Sequence, residues 1–431
     1  MSDVADHADG DDGSPAVRRL AEWDADRLRG WADEHGTPLY VQDLQRVREN
    51  YHRMARAFPD AEIHYAAKAN TARTVLQTLE AVGSSVECAS AGEVARALGA
   101  GFPTSRVQYT AVNPPAEDLD YAVAVADEED GLTITAGAAD TIDRLAERGY
   151  DGRLCVRVNP GVGAGHHEKV RTGADAKFGV PYDRALDTLA DAEARGFDVV
   201  GVHAHVGSGI TSDDLVAHRE LVTRMGDLVR ASPVDLEFVD VGGGFGVPYR
   251  ADEPALDLAA VAQATREALG PVEATLVVEP GRYLVADAGV LLTRVNTVKH
   301  APETTHAPET TIVGVDAGMT TLLRPALYDA YHELRSLAPG AEGRECETVT
   351  VTGPICESAD VLGVDRSLPA PVSGDLLAIG NAGAYGYEMA STYNSRPRPA
   401  TLAVDGENEA IDRRRETVDE LTRLEQEVDL P

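Results

Sequence analysis

Glu62-Ile63-His64-Tyr65-Ala66-Ala67-Lys68-Ala69-Asn70 is a short apolar run that ends in a lysine and a turn, and a helix-like stretch opens at Thr71. One strand, one turn and one helix in this order form a β-then-α unit, so the segment sets the pattern to be sought elsewhere. It also carries an unusual residue. The chain has only four lysines, Lys68, Lys169, Lys177 and Lys299, and only Lys68 closes a buried-strand pattern. A lysine in that position is expected to lose hydration, lower its pKa and form an imine with an aldehyde.

Working outward, the same pattern repeats. Apolar, β-branched runs fall near Ile63–Ala67, Ser85–Cys88, Arg106–Thr110, Leu132–Thr135, Leu154–Val158, Val199–His205, Leu236–Val241 and Thr275–Glu279. Stretches of helical periodicity separate them, among them Thr71–Ala81, Ala91–Leu98, Ala138–Arg148, Arg184–Arg195 and Asp213–Val229. Eight such units predict a closed (β/α)8 barrel of the α/β class, with a doubly wound open sheet as the structural rival.

After Arg282 the texture changes. Val290–Thr297, Thr311–Val315, Thr348–Thr352 and Asp375–Ile379 read as strands with turns between them, which predicts a C-terminal all-β domain. The expected division is an N-terminal segment over 1–38 that partly joins the β domain, a barrel over 39–285, a β domain over 286–404 and an acidic tail over 405–431. A duplicated His-Ala-Pro-Glu-Thr-Thr at 300–305 and 306–311 reads as a loop elongation. In the tail, Ile411, Val418, Leu421, Leu424 and Val428 fall roughly on one helical face, which suggests a terminal helix.

Composition narrows the partners. A net charge of −33 over 431 residues argues against nucleic acid and anionic membranes, which need basic patches. High acidity with so little lysine suggests adaptation to concentrated salt, where screening removes self-repulsion. No apolar run is long enough to span a membrane, and Met1 to Gly13 lacks the basic and apolar regions of a signal peptide, so a cytoplasmic location is expected. Cys88, Cys155, Cys346 and Cys356 show neither CxxC nor metal-ligand spacing, and no metal is expected.

Chemically distinctive residues gather at the C-terminal ends of the proposed barrel strands, the face where barrel enzymes place their sites. Lys68 ends the first strand, Glu87 and Ser90 follow the second, and Asn159 follows the fifth. His205 and Ser208 follow the sixth, Gly242-Gly243-Gly244 the seventh and Glu279-Pro280-Gly281-Arg282 the eighth. A glycine run lets backbone N–H groups approach an anion, and with Arg282 one strand further on it suggests a phosphate site. A phosphate-bearing aldehyde that bonds to lysine is pyridoxal phosphate. Glu279 can then keep the pyridine nitrogen protonated.

The chain resembles the barrel-type family of PLP-dependent amino-acid decarboxylases from about Leu39 to Ala400. The resemblance rests on Tyr65-Ala66-Ala67-Lys68-Ala69-Asn70, His203-Ala204-His205-Val206-Gly207-Ser208, Asp240-Val241-Gly242-Gly243-Gly244-Phe245-Gly246 and Glu279-Pro280-Gly281-Arg282. Arg324-Pro325-Ala326-Leu327-Tyr328, Cys356-Glu357-Ser358 and Gly383-Ala384-Tyr385-Gly386-Tyr387-Glu388-Met389 point within it to the diaminopimelate-specific branch rather than ornithine or arginine enzymes. The resemblance implies that Lys68 carries the cofactor, His205 stacks on its ring and Glu279 pairs with its nitrogen. It implies that Ser208, Gly242, Gly243, Gly244, Gly281, Arg282 and Tyr385 contact the cofactor. It further implies that Arg282, Arg324, Tyr328, Glu357 and Tyr385 grip the substrate, meso-2,6-diaminopimelate, and that Cys356 returns a proton after carbon dioxide leaves. A homodimer with shared active sites and L-lysine as product are also implied. The chain departs from the family pattern at Asn113-Pro114-Pro115, where many relatives carry a lysine, and at Glu87, where aspartate is common.

Other readings fit less well. His203 and His205 lie on one face of a strand and could hold a metal in a barrel hydrolase, but that leaves Lys68, the glycines and Cys356 without a role. A non-enzymatic PLP-binding homologue would not be expected to keep both Lys68 and Cys356. A racemase avoids the fully protonated pyridine that Glu279 favours.

Overall fold

The computed structural model describes residues 15–162, 178–205, 207–211, 215–302 and 310–428. Lys169, Lys177, the acidic start through Gly13 and most of the duplicated segment lie outside the described residues.

Eight parallel strands form the barrel: Ala61–Ala66, Ser85–Cys88, Val107–Tyr109, Thr133–Ala136, Arg153–Asn159, Asp198–His203, Phe238–Asp240 and Thr275–Val278. The eighth pairs with the first through Leu276↔Ala61 and Val278↔Ile63, which closes the ring and excludes the open-sheet rival. Helices fill the intervals, for example Arg73–Ala81, Ala91–Ala100, Val216–Ala231 and Leu258–Leu269. Their starts are fixed locally. Ser90 Oγ accepts the Glu93 N–H at 3.2 Å, and Asp257 Oδ1 accepts the Ala260 N–H at 2.9 Å. Such caps contribute about 1 kcal/mol each. Leu76, Leu79, Leu119, Ile134, Leu189 and Met225 pack in the layer between strands and helices.

Alternation along the strands loads the barrel interior in two levels. Cys155, Phe238 and Val277 belong to a small apolar cluster. Two residues further along the same strands come Arg157, Asp240 and Glu279, all buried. An apolar level thus lies beneath a charged one, and the charged one lies nearest the C-terminal mouth.

Among the described residues the second sheet has nine strands and mixed direction. Gly289–Ala301 runs through its middle, and Thr310–Val315, Cys346–Thr352 and Val361–Pro369 extend one side. Leu39–Asp43, placed with the barrel in the sequence reading, is hydrogen-bonded into this sheet, antiparallel to Gly289–Leu292 and parallel to Ala400–Val404. Leu28 and Trp31 of the helix Ala25–His35 pack on the same core as Leu39, Val41 and Leu402. The tail also differs from expectation. Asn408–Arg413 is a strand paired with Ala400–Asp405, and Val418–Thr422 is a short 3-10 turn. Strand pairing overrides the helical spacing, and Val418, Leu424 and Val428 stay exposed.

Where the two parts meet, the buried Arg46 guanidinium donates to Asp287 at 2.8 Å, and Asn50 donates to the other carboxylate oxygen at 2.8 Å. Each buried charge is paired and hydrogen-bonded, as burial requires.

Candidate active site

Lys68 lies in the 3-10 turn Ala67–Ala69, directly after the first barrel strand. The second domain holds this turn in place. Asn70 Nδ2 donates to Gly383 O at 2.9 Å, the Tyr385 N–H donates to Ala69 O at 2.8 Å, and Glu388 accepts from the Thr71 N–H and hydroxyl at 3.1 and 2.7 Å. Tyr385 reaches over the turn with a φ of 55°, a left-handed conformation rare for a side chain of its size. Backbone strain of this kind persists where surrounding contacts fix it.

Lys68 lines one cavity with Ala66, His205, Ser208, Gly244, Phe245, Glu279, Gly281, Arg282 and Tyr385. Its Nζ donates to Glu87 Oε2 at 2.8 Å, and 43% of its side chain remains accessible. The expected fall in pKa does not occur in this state. Burial pulls the amine down, but Glu87 and then Glu279 outweigh it and hold Lys68 above its ordinary range. Lysine at this mouth is therefore a cation that needs an acceptor before it can act as a nucleophile.

His205 Nδ1 accepts the Gly243 N–H at 3.2 Å. Burial, helped by the Lys68 charge, pushes His205 down to about 3, so its ring is neutral. His203 places Nε2 3.3 Å from Glu279 Oε2, both side chains buried. Burial would raise Glu279, yet His203 and Lys68 keep it below the usual carboxylate range. Its other oxygen, Oε1, is buried without a donor among the described residues.

Of the triple glycine, only Gly244 lines the cavity. Its φ is 98°, and a Cβ there would come within 2.4 Å of Gly207 O. The Gly242 and Gly243 N–H groups, expected to contact the cofactor, are given instead to Asp240 Oδ1 at 2.8 Å and to His205 Nδ1. They fix Asp240 beneath the cavity and His205 in its wall.

At the cavity edge, Arg282 and Arg324 meet on one hydroxyl. Arg282 donates to Tyr249 Oη at 2.6 Å and Arg324 donates to the same oxygen at 2.8 Å. Burial pushes Tyr249 up, but the two guanidiniums pull it below its ordinary value. Arg324 also meets His332 Nε2 at 3.0 Å, and His332 Nδ1 donates to Gly380 O at 2.8 Å. Burial and Arg324 hold His332 down to about 3, so it accepts as a neutral ring. Sequence reading missed both Tyr249 and His332. The place of Tyr249, five residues beyond Gly244 in a loop at the mouth, was the available signal. Tyr328 closes the short helix Arg324–Tyr328.

Cys356 and Glu357 do not line this cavity. They occupy an exposed loop of the second domain, where Cys356 Sγ meets Asn394 Oδ1 at 3.2 Å and Glu357 accepts from the Tyr393 hydroxyl.

The cavity fits pyridoxal phosphate. It offers an amine for the aldehyde, a neutral ring for stacking, an ionised carboxylate for the ring N–H, and Ser208 with Arg282 for the phosphate.

Residues 44–286 match the family described as "Pyridoxal-dependent decarboxylase, pyridoxal binding domain". The chain is 42% identical to a diaminopimelate decarboxylase of Methanothermobacter thermautotrophicus, over 91% of this chain and 92% of that one. It is similar in structure to diaminopimelate decarboxylase from Helicobacter pylori in complex with L-lysine, with a TM-score of 0.83, 33% identity, and 92% and 99% of the two chains covered. The M. jannaschii enzyme in co-complex with L-lysine gives a TM-score of 0.83 at 30% identity, with 96% of each chain covered. Agreement in family, length and fold makes this chain a member of the diaminopimelate decarboxylase family of pyridoxal-dependent decarboxylases.

Proposed function

We infer that the chain removes one carboxylate of meso-2,6-diaminopimelate as carbon dioxide and releases L-lysine, the last step of lysine biosynthesis. The observation that carries this reading is a single cavity joining the Lys68 amine to ionised Glu279, with two arginines meeting on Tyr249 at its edge. Lys68 would anchor pyridoxal phosphate between turnovers, and the cofactor, when bound, would supply an electron-withdrawing ring for the loss of the carboxylate.

Each residue then has a defined task. Lys68 must lose a proton before bonding, and Glu87 Oε2 at 2.8 Å is the acceptor in place. Glu279 would offer a negative charge to a ring N–H, and neutral His205 would stack on the ring without adding charge. Arg282 and Arg324 are cations suited to a distal carboxylate, which diaminopimelate has and ornithine lacks. Glu357 can receive the distal ammonium. Cys356 returns a proton to the carbon that has lost carbon dioxide.

Because Cys356 and Glu357 lie on an exposed loop outside the Lys68 cavity, we assign them to the site of a second copy of the chain. A two-fold dimer would give two equivalent mouths, each completed by the partner. No helix among the described residues is long and apolar enough to cross a membrane. The surplus of acidic residues is read as adaptation to concentrated salt.

Incubation of the purified chain and pyridoxal phosphate with meso-diaminopimelate should yield equal amounts of L-lysine and carbon dioxide. Equal turnover of ornithine or arginine would overturn the substrate assignment.

A further inference from the structure

Beneath the cavity, His203, Asp240 and Glu279 form a buried trio whose polar atoms lie within 4.8 Å of one another. Asp240 is fully buried, and His203 and Glu279 are 1% and 4% exposed. Asp240 Oδ1 accepts the Gly242 N–H at 2.8 Å, and Glu279 Oε2 lies 3.3 Å from His203 Nε2. The remaining oxygens, Asp240 Oδ2 and Glu279 Oε1, are buried and have no donor among the described residues. Two neighbouring carboxylates with one orphaned acceptor each cannot both be ionised at low cost.

We propose that Asp240 is a positioning residue, protonated in the working protein, whose carboxylic acid donates to Glu279 while His203 donates to the other oxygen. One proton thereby satisfies both orphaned oxygens. Glu279 is left as a single, oriented negative charge, with lone pairs still free for a ring N–H, since a carboxylate has about four acceptor sites.

The distribution of charge decides which of the two carries the proton. Glu279 faces His203, Lys68 and His205, and burial, which alone would raise it, is outweighed by His203 and Lys68. Asp240 faces Glu279 and Glu87, and burial first and Glu279 second push it well above its ordinary range. Arg157, the nearby buried guanidinium, acts on Glu279, Glu87 and Asp240 together. Two carboxylic groups set apart by environment, one acid and one base, is a recurring arrangement.

This inference rests on Glu279 facing the cofactor nitrogen, and its principal test does not depend on turnover. Infrared difference spectra of the full chain loaded with pyridoxal phosphate, wild type minus Asp240→Asn, should show one carboxylic-acid carbonyl band at pH 7 and at pH 8. Absence of that band, or a band that survives in Asp240→Asn, overturns the proposal. In kinetics, Asp240→Ala should lower kcat by about 10–100-fold with little change in KM, less than the roughly 10²–10³ lost with a partner that touches the reacting group directly. Asp240→Asn, whose amide N–H can also donate to Glu279, should recover most of that loss. Equal losses in the two variants would overturn the proposal, and if Asp240→Ala does not fold, the infrared comparison and Asp240→Asn decide it. A chain that fails to act on diaminopimelate would still show the band, which separates this inference from the assigned reaction.

Discussion

In the proposed reaction Glu279 concentrates the chemistry in one carboxylate, and its charge is set by neighbours rather than by its own strand. His203 and Lys68 outweigh burial and keep it ionised. Glu279→Gln should therefore slow decarboxylation by about 10²–10³ while weakening cofactor binding far less. Steady-state kinetics at saturating cofactor would check this, and near-native turnover would contradict the role. At the cavity edge, Tyr249 holds Arg282 and Arg324 on one oxygen. Tyr249→Phe should raise KM for diaminopimelate by about tenfold, the cost of leaving two guanidiniums without their shared acceptor, with a smaller effect on kcat. An unchanged KM would show that the arginines orient without it. Lys68 was legible in the sequence because lysine is scarce and this one ends a strand. Glu279 was legible from its place on the eighth strand. Tyr249 and His332 were not, because their partner Arg324 is 75 residues from one and bound to the other through a fold-dependent turn. The charge state of Lys68 was misread for the same reason, since Glu87 comes from the next strand.

Elements matter here mainly through their ends. All eight barrel strands were legible as β-branched runs, because parallel strands buried on both faces need continuous apolar sequence. The tail was misread because apolar spacing at Ile411 and beyond suited a helix, while backbone pairing with Ala400–Asp405 suited a strand. Helix packing on the barrel supplies a pH test. His218, on the helix Val216–Ala231, is buried and meets Thr265 of the helix Leu258–Leu269 at 2.7 Å. Burial first, and Arg219 second, push it down to about 4 from an ordinary value of 6.5. The folded state thus disfavours the protonated ring, so stability is fully present above about 6.5 and is lost as pH falls from there towards 4. Thermal unfolding at pH 7 and pH 5 should show a smaller loss of Tm in His218→Gln than in wild type. Parallel losses would exclude His218 as a contributor.

At the scale of the whole molecule, the acidic surplus and the two-part site are the features to test. A net charge of −33 predicts mutual repulsion at low ionic strength. Raising potassium chloride from 0.1 M to 2 M, where screening shortens to about 3 Å or less, should raise Tm by at least about 5 °C. A flat or falling Tm would remove the salt-adaptation reading. Cys356 and Glu357 lie outside the cavity of Lys68, and the proposed function assigns them to the site of a second copy. The most direct test is to mix Lys68→Ala and Cys356→Ala chains, each nearly inactive alone, after verified subunit exchange. Random reassortment makes about half of the dimers mixed, and each mixed dimer holds one intact site of two. Activity recovering to roughly a quarter of wild type is the expected result. No recovery would contradict a site built from two chains.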